Sequence, residues 1–357
     1  MARDIVGLKI GASHLSAARV VTNGTPRLAQ VASAPLAPGV VAGGEVRDPD
    51  ALAQELKTFF KRNGLPHRSV RIGVATNRVG VRTIELAGVE DPRQLANAVR
   101  FRAQEALPIP LNEAVLDYQV LEQGTDAEGA TVRRVLFVVA YRELVDGFAR
   151  ACREAGLRLV GVDLEAFALL RALTPFERLA AEADDGERSA LAAVSIGSER
   201  SILAVSDGFT CEFTRVIDWG GADLTAGIAG ELEVEPEEAE RVKRLLVLDG
   251  DDVPEGLAPE LAVRARGAAT AGLRTFAREL VSSLQFYQGQ TGSLALREIV
   301  LAGGTAELAG LAEALEQMVS VSVRVGDPTV NLSHAKKVKG GDAGPSLAVP
   351  IGLGMGL

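Results

Sequence analysis

Cysteine, histidine and aromatic residues are scarce in this chain of 357 residues, which has two cysteines, three histidines and an aromatic content of 4%. Cys152 and Cys211 lie far apart, and neither belongs to a CxxC or CxH motif. This pattern argues against a zinc site or a disulfide framework as the basis of the fold. It is typical of a protein from a reducing compartment.

The chain also lacks a long uncharged apolar run, a signal-peptide pattern and an excess of positive charge. We therefore expect neither export by that route nor direct membrane insertion. A net charge of −9 gives no reason to expect nucleic acid or an anionic lipid surface as a partner. With 47% hydrophobic and 24% charged residues, the composition is that of a globular protein. Its length suggests about two domains or one large split domain.

One pattern occurs twice. Residues 5–20 read IVGLKIGASHLSAARV, and residues 191–205 read LAAVSIGSERSILAV. An apolar run, a glycine turn and a second apolar run predict a β-hairpin, with Gly11 at the positive φ of a tight turn. One copy opens each half of the chain, which predicts two related lobes. The backbone N–H groups of such turns can hold a phosphate chain, although each turn can equally be structural.

Other segments complete this pattern. A third strand is predicted after each hairpin, at residues 27–33 and 210–217, and Asp48 followed by Pro49 predicts the start of a helix. Residues 80–156 predict a β-α-β-β-α insertion, and helices are predicted to dominate residues 223–288. The acidic residues 177–188 are interpreted as the crossing between the halves.

A strand followed by Gly303, Gly304 and Thr305 is predicted to lead into a helix at residues 307–318. Such a step suits a phosphate or a flat ring that approaches the backbone closely. Tight packing of the turn would need the same glycines.

Taken together, the two Ile-Gly hairpins and LAGGTAELAGL resemble the phosphate and adenosine motifs of the actin-like ATPase superfamily, in the same order. Within that superfamily, NAVRFRAQEALPIPLNEAVLDYQVL, PLAPGVVAGGEVRDPDALAQELKTFF and EEAERVKR are similar to the PilM family of type IV pilus assembly. The resemblance covers essentially the whole chain. It implies the α/β actin-like ATPase fold, with two lobes of related mixed β-sheet, flanking helices and an inserted α+β subdomain of the 1C type.

The resemblance also implies a division into four parts. The first lobe would comprise residues 1–79, 157–188 and 344–357, and the 1C-like insertion residues 80–156. The second lobe would comprise residues 189–217 and 291–343, with a helical 2B-like subdomain at residues 218–290.

The family's nucleotide site can be carried over by position, which implies ATP or ADP as a ligand. One side of the phosphates would be formed by Lys9, Gly11, Ala12, Ser13 and His14, and the other by Gly197, Ser198 and Glu199. Glu240 and Lys243 would lie near the ribose and base, and Gly303, Gly304 and Thr305 would form the adenosine motif. Without the resemblance, Glu240 and Lys243 would be interpreted as an exposed ion pair on a helix.

Two positions depart from the superfamily pattern. Lys9 and Ser195 stand where acidic residues normally hold the hydrated Mg²⁺ that bridges the phosphates. A lysine can hold phosphates as a point charge but cannot coordinate Mg²⁺ or polarise a water molecule. We therefore predict no catalytic residue and no metal ligands. We expect weak or absent ATPase activity, and nucleotide binding that depends little on Mg²⁺.

The implied function is that of a scaffold in the cytoplasm, held at the inner membrane by the N-terminal tail of a PilN-like single-span protein. Pilus or secretion motor components and a second copy of the chain are further partners to consider. In the family, the tail lies between the first lobe and the insertion. We predict that one wall is formed by Phe101, Arg102, Leu107, Pro108, Pro110 and Leu111. The alternative is that these residues only pack the insertion.

Two other functional classes stay open. A filament-forming relative such as FtsA usually carries a C-terminal amphipathic membrane helix, which we do not expect from the closing segment SLAVPIGLGMGL because it lacks a basic face. An active ATPase or small-molecule kinase of this fold would need a carboxylate near the phosphates. The nearest candidate in the sequence is Asp163, which is better interpreted as the cap of the following helix.

Overall fold

The computed structural model of the chain describes residues 3–89, 91–106, 110–125, 129–174, 189–250, 253, 255–333 and 338–356. Its strands are β1 (Arg3–Ile10), β2 (His14–Thr22), β3 (Pro26–Pro35), β4 (Val41–Ala42), β5 (Glu45–Val46), β6 (Val70–Val74), β7 (Val79–Ala87), β8 (Ala114–Thr125), β9 (Thr131–Tyr141), β10 (Leu159–Leu164), β11 (Ser189–Ile196), β12 (Ser201–Ser206), β13 (Cys211–Ile217), β14 (Ala295–Ala302) and β15 (Ser322–Val325).

Its helices are α1 (Pro49–Asn63), α2 (Pro92–Ala106), α3 (Arg142–Glu154), α4 (Glu165–Leu173), α5 (Gly221–Leu232), α6 (Pro236–Leu245), α7 (Pro259–Gln288), α8 (Leu311–Val319) and α9 (Ala348–Met355). Short 3-10 turns lie at Leu111–Glu113, Gly304–Glu307 and Pro345–Leu347. Among the described residues, no helix combines the length and the apolar character that a membrane crossing requires.

Two five-stranded sheets share one topology. Their strand orders are β10-β6-β1-β2-β3 in the first lobe and β15-β14-β11-β12-β13 in the second. In both sheets the hairpin strands and the third strand run antiparallel, and the remaining two strands run parallel to the first hairpin strand. The predicted pair of related lobes and the mixed α/β fold class are confirmed. The residue boundaries of the four predicted parts stay predictions.

The two Ile-Gly turns close in the same way. In the first turn (residues 11–14), the Gly11 N–H donates to the His14 carbonyl at 3.0 Å. In the second turn (residues 197–200), the Gly197 N–H donates to the Arg200 carbonyl at 2.9 Å. The prediction that Gly11 adopts a positive φ is wrong. Glycine suits the position because a Cβ there would lie 3.1 Å from the His14 carbonyl oxygen.

Helix α1 begins at the predicted residues. The Asp48 carboxylate accepts hydrogen bonds from the N–H groups of Asp50 and Ala51 at 3.1 and 2.9 Å, and Pro49 is the first helical residue. Gly64 ends the helix in the left-handed conformation, with φ at 60°. These local signals position the first lobe's main helix against its sheet.

The insertion forms a three-stranded sheet in the order β7-β9-β8, with β7 at one edge. Helix α2 packs on this sheet through Leu95 and Val99, which share a core with Phe137. Helix α3 instead places Phe148 in the core of the first lobe. The predicted crossing at residues 177–188 lies outside the described residues.

The closing segment of the chain is a buried helix that joins the lobes. Helix α9 packs against β1 and α4 so closely that a Cβ on Gly7 would lie 2.0 Å from the Pro350 carbonyl oxygen. A Cβ on Gly352 would lie 1.8 Å from the Ala168 carbonyl oxygen. Residues of α4 and α9 share one apolar core with strands of both sheets. The glycines of this segment therefore serve close backbone packing.

Candidate functional site

The first turn carries a buried ion pair that the sequence alone did not indicate. Lys9, on β1, lies with its Nζ 3.4 Å from Oε2 of Glu165, the first residue of α4, and the two side chains are 18% and 6% exposed. Gly73 leaves room for this carboxylate, because a Cβ there would lie 2.7 Å from Glu165 Cγ. The charge that replaces an acidic residue at Lys9 is thus neutralised within its own lobe.

Asp163 has a different role from the predicted one. Helix α4 has Leu164 at its N-cap, so the prediction that Asp163 caps this helix is wrong. Asp163 instead pairs with Arg171, whose Nε also donates to the Gly352 carbonyl at 3.0 Å. The carboxylate in contact with the first turn's lysine is therefore Glu165. It lies 156 residues along the chain from Lys9, which is why local patterns did not reveal it.

The second turn joins two other predicted segments. The Gly197 carbonyl accepts hydrogen bonds from the Gly221 N–H at 2.8 Å and from Thr305 Oγ1 at 3.2 Å. The Ser198 carbonyl accepts from the Ala222 N–H at 2.8 Å. The start of α5, the second turn and the residues after β14 therefore meet at one place in the second lobe.

Glu240 and Lys243 of α6 face the same place. Lys243 Nζ donates to the Gly221 carbonyl at 2.9 Å and to Thr225 Oγ1 at 2.8 Å, and it lies 2.6 Å from Glu240 Oε2. Burial raises the pKa of Glu240, but hydrogen bonds from Lys243 and Thr225 outweigh it and hold the pKa below its usual value. Because the lysine side chain is 12% exposed, this is not the exposed surface pair that the sequence would otherwise suggest.

The glycine step after β14 differs from the prediction. Gly303 has φ at 88°, and a Cβ on it would lie 2.3 Å from the Ile196 carbonyl oxygen, whereas a Cβ on Gly304 would meet no atom within 4 Å. The helix predicted at residues 307–318 begins at Leu311, because residues 304–307 form a 3-10 turn and Gly310 takes the left-handed conformation. Gly303 therefore serves backbone packing, while Gly304 faces open space.

His14, at the end of the first turn, lies within the electrostatic range of α6 in the second lobe. Partial desolvation lowers the pKa of His14, the Arg244 charge lowers it further, and the Glu240 charge opposes both. Ser13 bonds the His14 ring nitrogen Nδ1 at 3.1 Å, and the neighbouring Ala12 is partly buried. The charges of α6 therefore act on the His14 ring at the first turn.

Glu199 points away from the other residues of its turn. Its Oε2 accepts a hydrogen bond from the Gly43 N–H at 3.0 Å, across to the β4–β5 hairpin of the first lobe. Arg200 Nε lies 3.1 Å from Asp218 Oδ1. Through these contacts, Glu199 and Arg200 connect the second turn to Gly43 and Asp218.

The polar groups around the two turns fit a nucleotide only in part. Gly304 leaves open space after β14, and Lys243, Thr305 and the N–H groups of the turns offer polar contacts. However, Lys9, Lys243, Arg200 and Arg244 are each paired with a carboxylate, respectively Glu165, Glu240, Asp218 and Glu240. The described residues hold no group of three or more His, Cys, Asp or Glu side chains arranged to bind a metal ion.

A separate cavity of about 520 Å³, which we call the cleft, lies between the first lobe, the insertion and the second lobe. It is lined by residues 74–82, Tyr141, Leu164, Ala166, Ile202 and residues 214–216. Strands β7, β10 and β13, each at the edge of its sheet, contribute to the wall. Sequence patterns offer little indication of the cleft, because residues from distant segments of the chain line it.

Two residues of the predicted partner wall, Phe101 and Arg102, lie on α2. Phe101 is 60% exposed, and Arg102 Nη1 bonds Glu105 at 3.3 Å beside a smaller cavity of about 310 Å³. Pro110 is exposed and Leu111 begins a 3-10 turn, while Leu107 and Pro108 lie outside the described residues. Of the predicted wall, the described side chains of Phe101, Arg102 and Pro110 do not line the cleft.

Comparison with known proteins places this architecture in a family. The family model described as type IV pilus assembly protein PilM matches residues 7–356. A solved PilM–PilN type IV pilus biogenesis complex superposes with a TM-score of 0.80 and 28% identity, covering 98% of this chain and 97% of that one.

More distant matches share the fold. EutJ from Carboxydothermus hydrogenoformans gives a TM-score of 0.55 at 18% identity, with 99% and 89% of the two chains covered. MreB5 of Spiroplasma citri, solved with ADP, gives 0.54 at 12% identity, with 98% and 94% covered. The cell division protein FtsA of Bacillus subtilis is 22% identical over 80% of this chain and 70% of its own length. From the family match and the shared sheet topology, we conclude that this chain belongs to the PilM family of type IV pilus assembly proteins.

Proposed function

We propose that this chain is a scaffold of the type IV pilus or of a related secretion platform, and that it captures the cytoplasmic N-terminal tail of a PilN-like membrane protein in the cleft. The observation that carries this proposal is the cleft itself, about 520 Å³ in volume, between the first lobe and the insertion. The structural match to a PilM–PilN complex supports a PilN-like partner. Capture of the tail would hold the scaffold at the inner membrane.

The walls of the cleft suit an extended peptide. Strands β7 and β13 are edge strands of their sheets, and edge strands can pair with an added segment through backbone hydrogen bonds. Arg78 lies over the Tyr141 ring at 4.3 Å and bonds Glu45 and Glu143, which fixes one end of the wall. On the same strand, Arg82 Nη1 donates to the Val81 carbonyl at 2.8 Å.

Calorimetry with a synthetic peptide of the first 15 or so residues of the PilN-like protein tests this proposal. Thr214→Trp, which fills the cleft, should weaken binding at least tenfold, whereas Phe101→Ala on α2 should change it less than twofold. The opposite pattern would move the tail to the predicted α2 wall. No saturable binding to the unmodified protein would contradict tail capture.

We further propose that the nucleotide site is degenerate. ATP or ADP would bind through the turns, Lys243 and the adenosine step, and bound nucleotide would supply a triphosphate or diphosphate anion between the lobes. The balanced charges around the turns and the Lys9–Glu165 pair support weak, Mg²⁺-independent binding with little hydrolysis.

ATP affinity, measured in Mg²⁺ and in EDTA, checks this second proposal. We expect dissociation constants within about threefold of each other and no steady phosphate release. Lys243→Ala should weaken binding, and Lys57→Ala, which removes an exposed lysine of α1, should not. Tight, Mg²⁺-dependent binding with steady turnover would contradict the proposal.

Two observations favour alternatives. The match to FtsA favours a filament-forming role, which sedimentation with ATP would reveal as nucleotide-dependent pelleting. The buried carboxylate of Glu165 beside the first turn favours an active ATPase or kinase. Loss of any measured turnover in Glu165→Gln would support that reading over the scaffold.

A further inference from the structure

An ion pair joins the insertion to the second lobe near one end of the cleft. Arg134 Nη2, on β9, donates to both carboxylate oxygens of Glu212, on β13, at 2.9 and 2.7 Å. The two side chains are 27% and 20% exposed. Because both groups are charged and partly shielded from water, these hydrogen bonds are stronger than neutral ones. The pair therefore holds the insertion and the second lobe together at this point.

The strand register places this ion pair just beyond the lining of the cleft. The lining includes Arg82 on β7 and Thr214 on β13. Glu212 precedes Thr214 by two residues. Arg134 lies opposite Glu85, which follows Arg82 by three residues. Strands β7 and β13 are also in contact with each other. The two strands and the ion pair therefore close the cleft at this side, which we call the closed end.

The opposite end of the cleft, which we call the open end, is held by a weaker contact. There Asn77 Nδ2 donates to Asp218 Oδ2 at 2.8 Å. Asn77 is exposed, and the Asp218 side chain is 60% exposed. A hydrogen bond that water can replace so readily adds little to the contact between two surfaces. A bound segment can therefore leave past Asn77 more easily than past the Arg134–Glu212 pair.

We propose that the cleft accepts the free N-terminal end of the partner's chain and rejects a segment that continues in both directions; this rests on the proposed function. A membrane-anchored tail has one free end, and its other end continues towards the membrane. The continuing end leaves past the open end, so the free end abuts the Arg134–Glu212 pair. Residues added before the tail would have to break this pair. The ion pair therefore selects a chain terminus and fixes the direction in which the tail lies.

Calorimetry with the synthetic tail peptide, extended at either end by about six Gly and Ser residues, tests this selection. The N-terminal extension should weaken binding to the unmodified protein at least about tenfold, because the ion pair must open. The C-terminal extension, which stays in solvent, should change the affinity less than about twofold. In Arg134→Ala, the N-terminal extension should cost less than about threefold, since no ion pair has to break. Arg150→Ala, which removes a more exposed arginine ion pair on α3, should retain the full penalty.

Absence of a greater penalty for the N-terminal extension, or a full penalty in Arg134→Ala, would overturn the selection of a chain terminus and leave tail capture intact. A second measurement needs no ligand. Arg134→Ala should speed amide hydrogen exchange in β7 and β13, whereas exchange in β15, at the other edge of the second sheet, should stay unchanged. If the unextended tail fails to bind, the proposed function fails, and unchanged exchange in β7 and β13 separately overturns the closed end.

Discussion

The two Ile-Gly turns close with the same backbone hydrogen bond, but different contacts hold each turn in place. Each closes through a hydrogen bond from its glycine N–H to a carbonyl three residues later, at 3.0 Å for Gly11 and 2.9 Å for Gly197. The first turn is anchored by side-chain charge, through Lys9 and Glu165. The second turn is anchored by backbone packing, since the Gly197 carbonyl accepts from the Gly221 N–H and from Thr305.

The two sheets share one topology, but different interactions stabilise their turns. The charge at the first turn is satisfied within its own lobe, whereas Glu199 and Arg200 of the second turn reach Gly43 and Asp218. We therefore expect the first turn to be sensitive to loss of charge and the second to added volume. Four matched pairs of substitutions test this difference.

The largest effect is expected at Lys9. Lys9→Ala leaves the carboxylate of Glu165 buried without its partner, which should lower the free energy of unfolding by about 3 kcal/mol. Ser195→Ala, at the matching place before the second turn, should cost about 1 kcal/mol or less, because it removes one neutral hydroxyl. Urea unfolding of both variants measures the difference.

A double variant is the control for this prediction. Lys9→Met combined with Glu165→Leu removes both charges and keeps the volume, so it should be more stable than Lys9→Ala. Equal losses for Lys9→Ala and Ser195→Ala would show that the first turn does not depend on its ion pair.

The next effect is expected in the second lobe, at Gly303. Gly303→Ala combines a φ of 88° with a Cβ that would lie 2.3 Å from the Ile196 carbonyl oxygen. We expect a loss of about 2 kcal/mol. Gly304→Ala, one residue later in open space, should change stability little. Thermal unfolding of the two variants measures the contrast, and a similar melting temperature for both would show that the step tolerates volume.

Local features of the fold were predicted from the sequence, whereas contacts between residues far apart in the sequence were not. Asp48 and Pro49 predicted the start of α1, because capping is settled within four residues. The contact between Lys9 and Glu165 was not predicted, since it joins strands and helices far apart in the chain. The later start of α8 was missed because Gly310 breaks the helical pattern through its left-handed conformation, which apolar spacing does not report.

The turns themselves give a smaller, direct comparison. A Cβ on Gly197 would lie 2.7 Å from the Arg200 carbonyl oxygen, which is too close for the backbone to remain in place. A Cβ on Gly11 would lie 3.1 Å from the His14 carbonyl oxygen, which requires a shift of a few tenths of an ångström. We expect Gly197→Ala to cost about 1 kcal/mol and Gly11→Ala to be near neutral. Chemical denaturation of the two variants measures the change in the free energy of unfolding. A greater loss in Gly11→Ala than in Gly197→Ala would contradict the expected difference between the turns.

The smallest effect concerns protonation of the first turn. Desolvation and the Arg244 charge lower the pKa of His14 below its usual 6.5, so the unfolded chain takes up this proton more readily than the folded one. The contribution to stability is therefore complete above about pH 6.5, the unfolded-state pKa, and is lost as the pH falls from there through the lower pKa of the folded state. Titration of the His14 ring by NMR should give a midpoint below 6.5 that rises in Arg244→Ala. The midpoint should stay unchanged in Arg241→Ala, which removes an exposed arginine of the same helix. If Arg244→Ala left the midpoint unchanged, the charge of Arg244 would have no influence on the first turn.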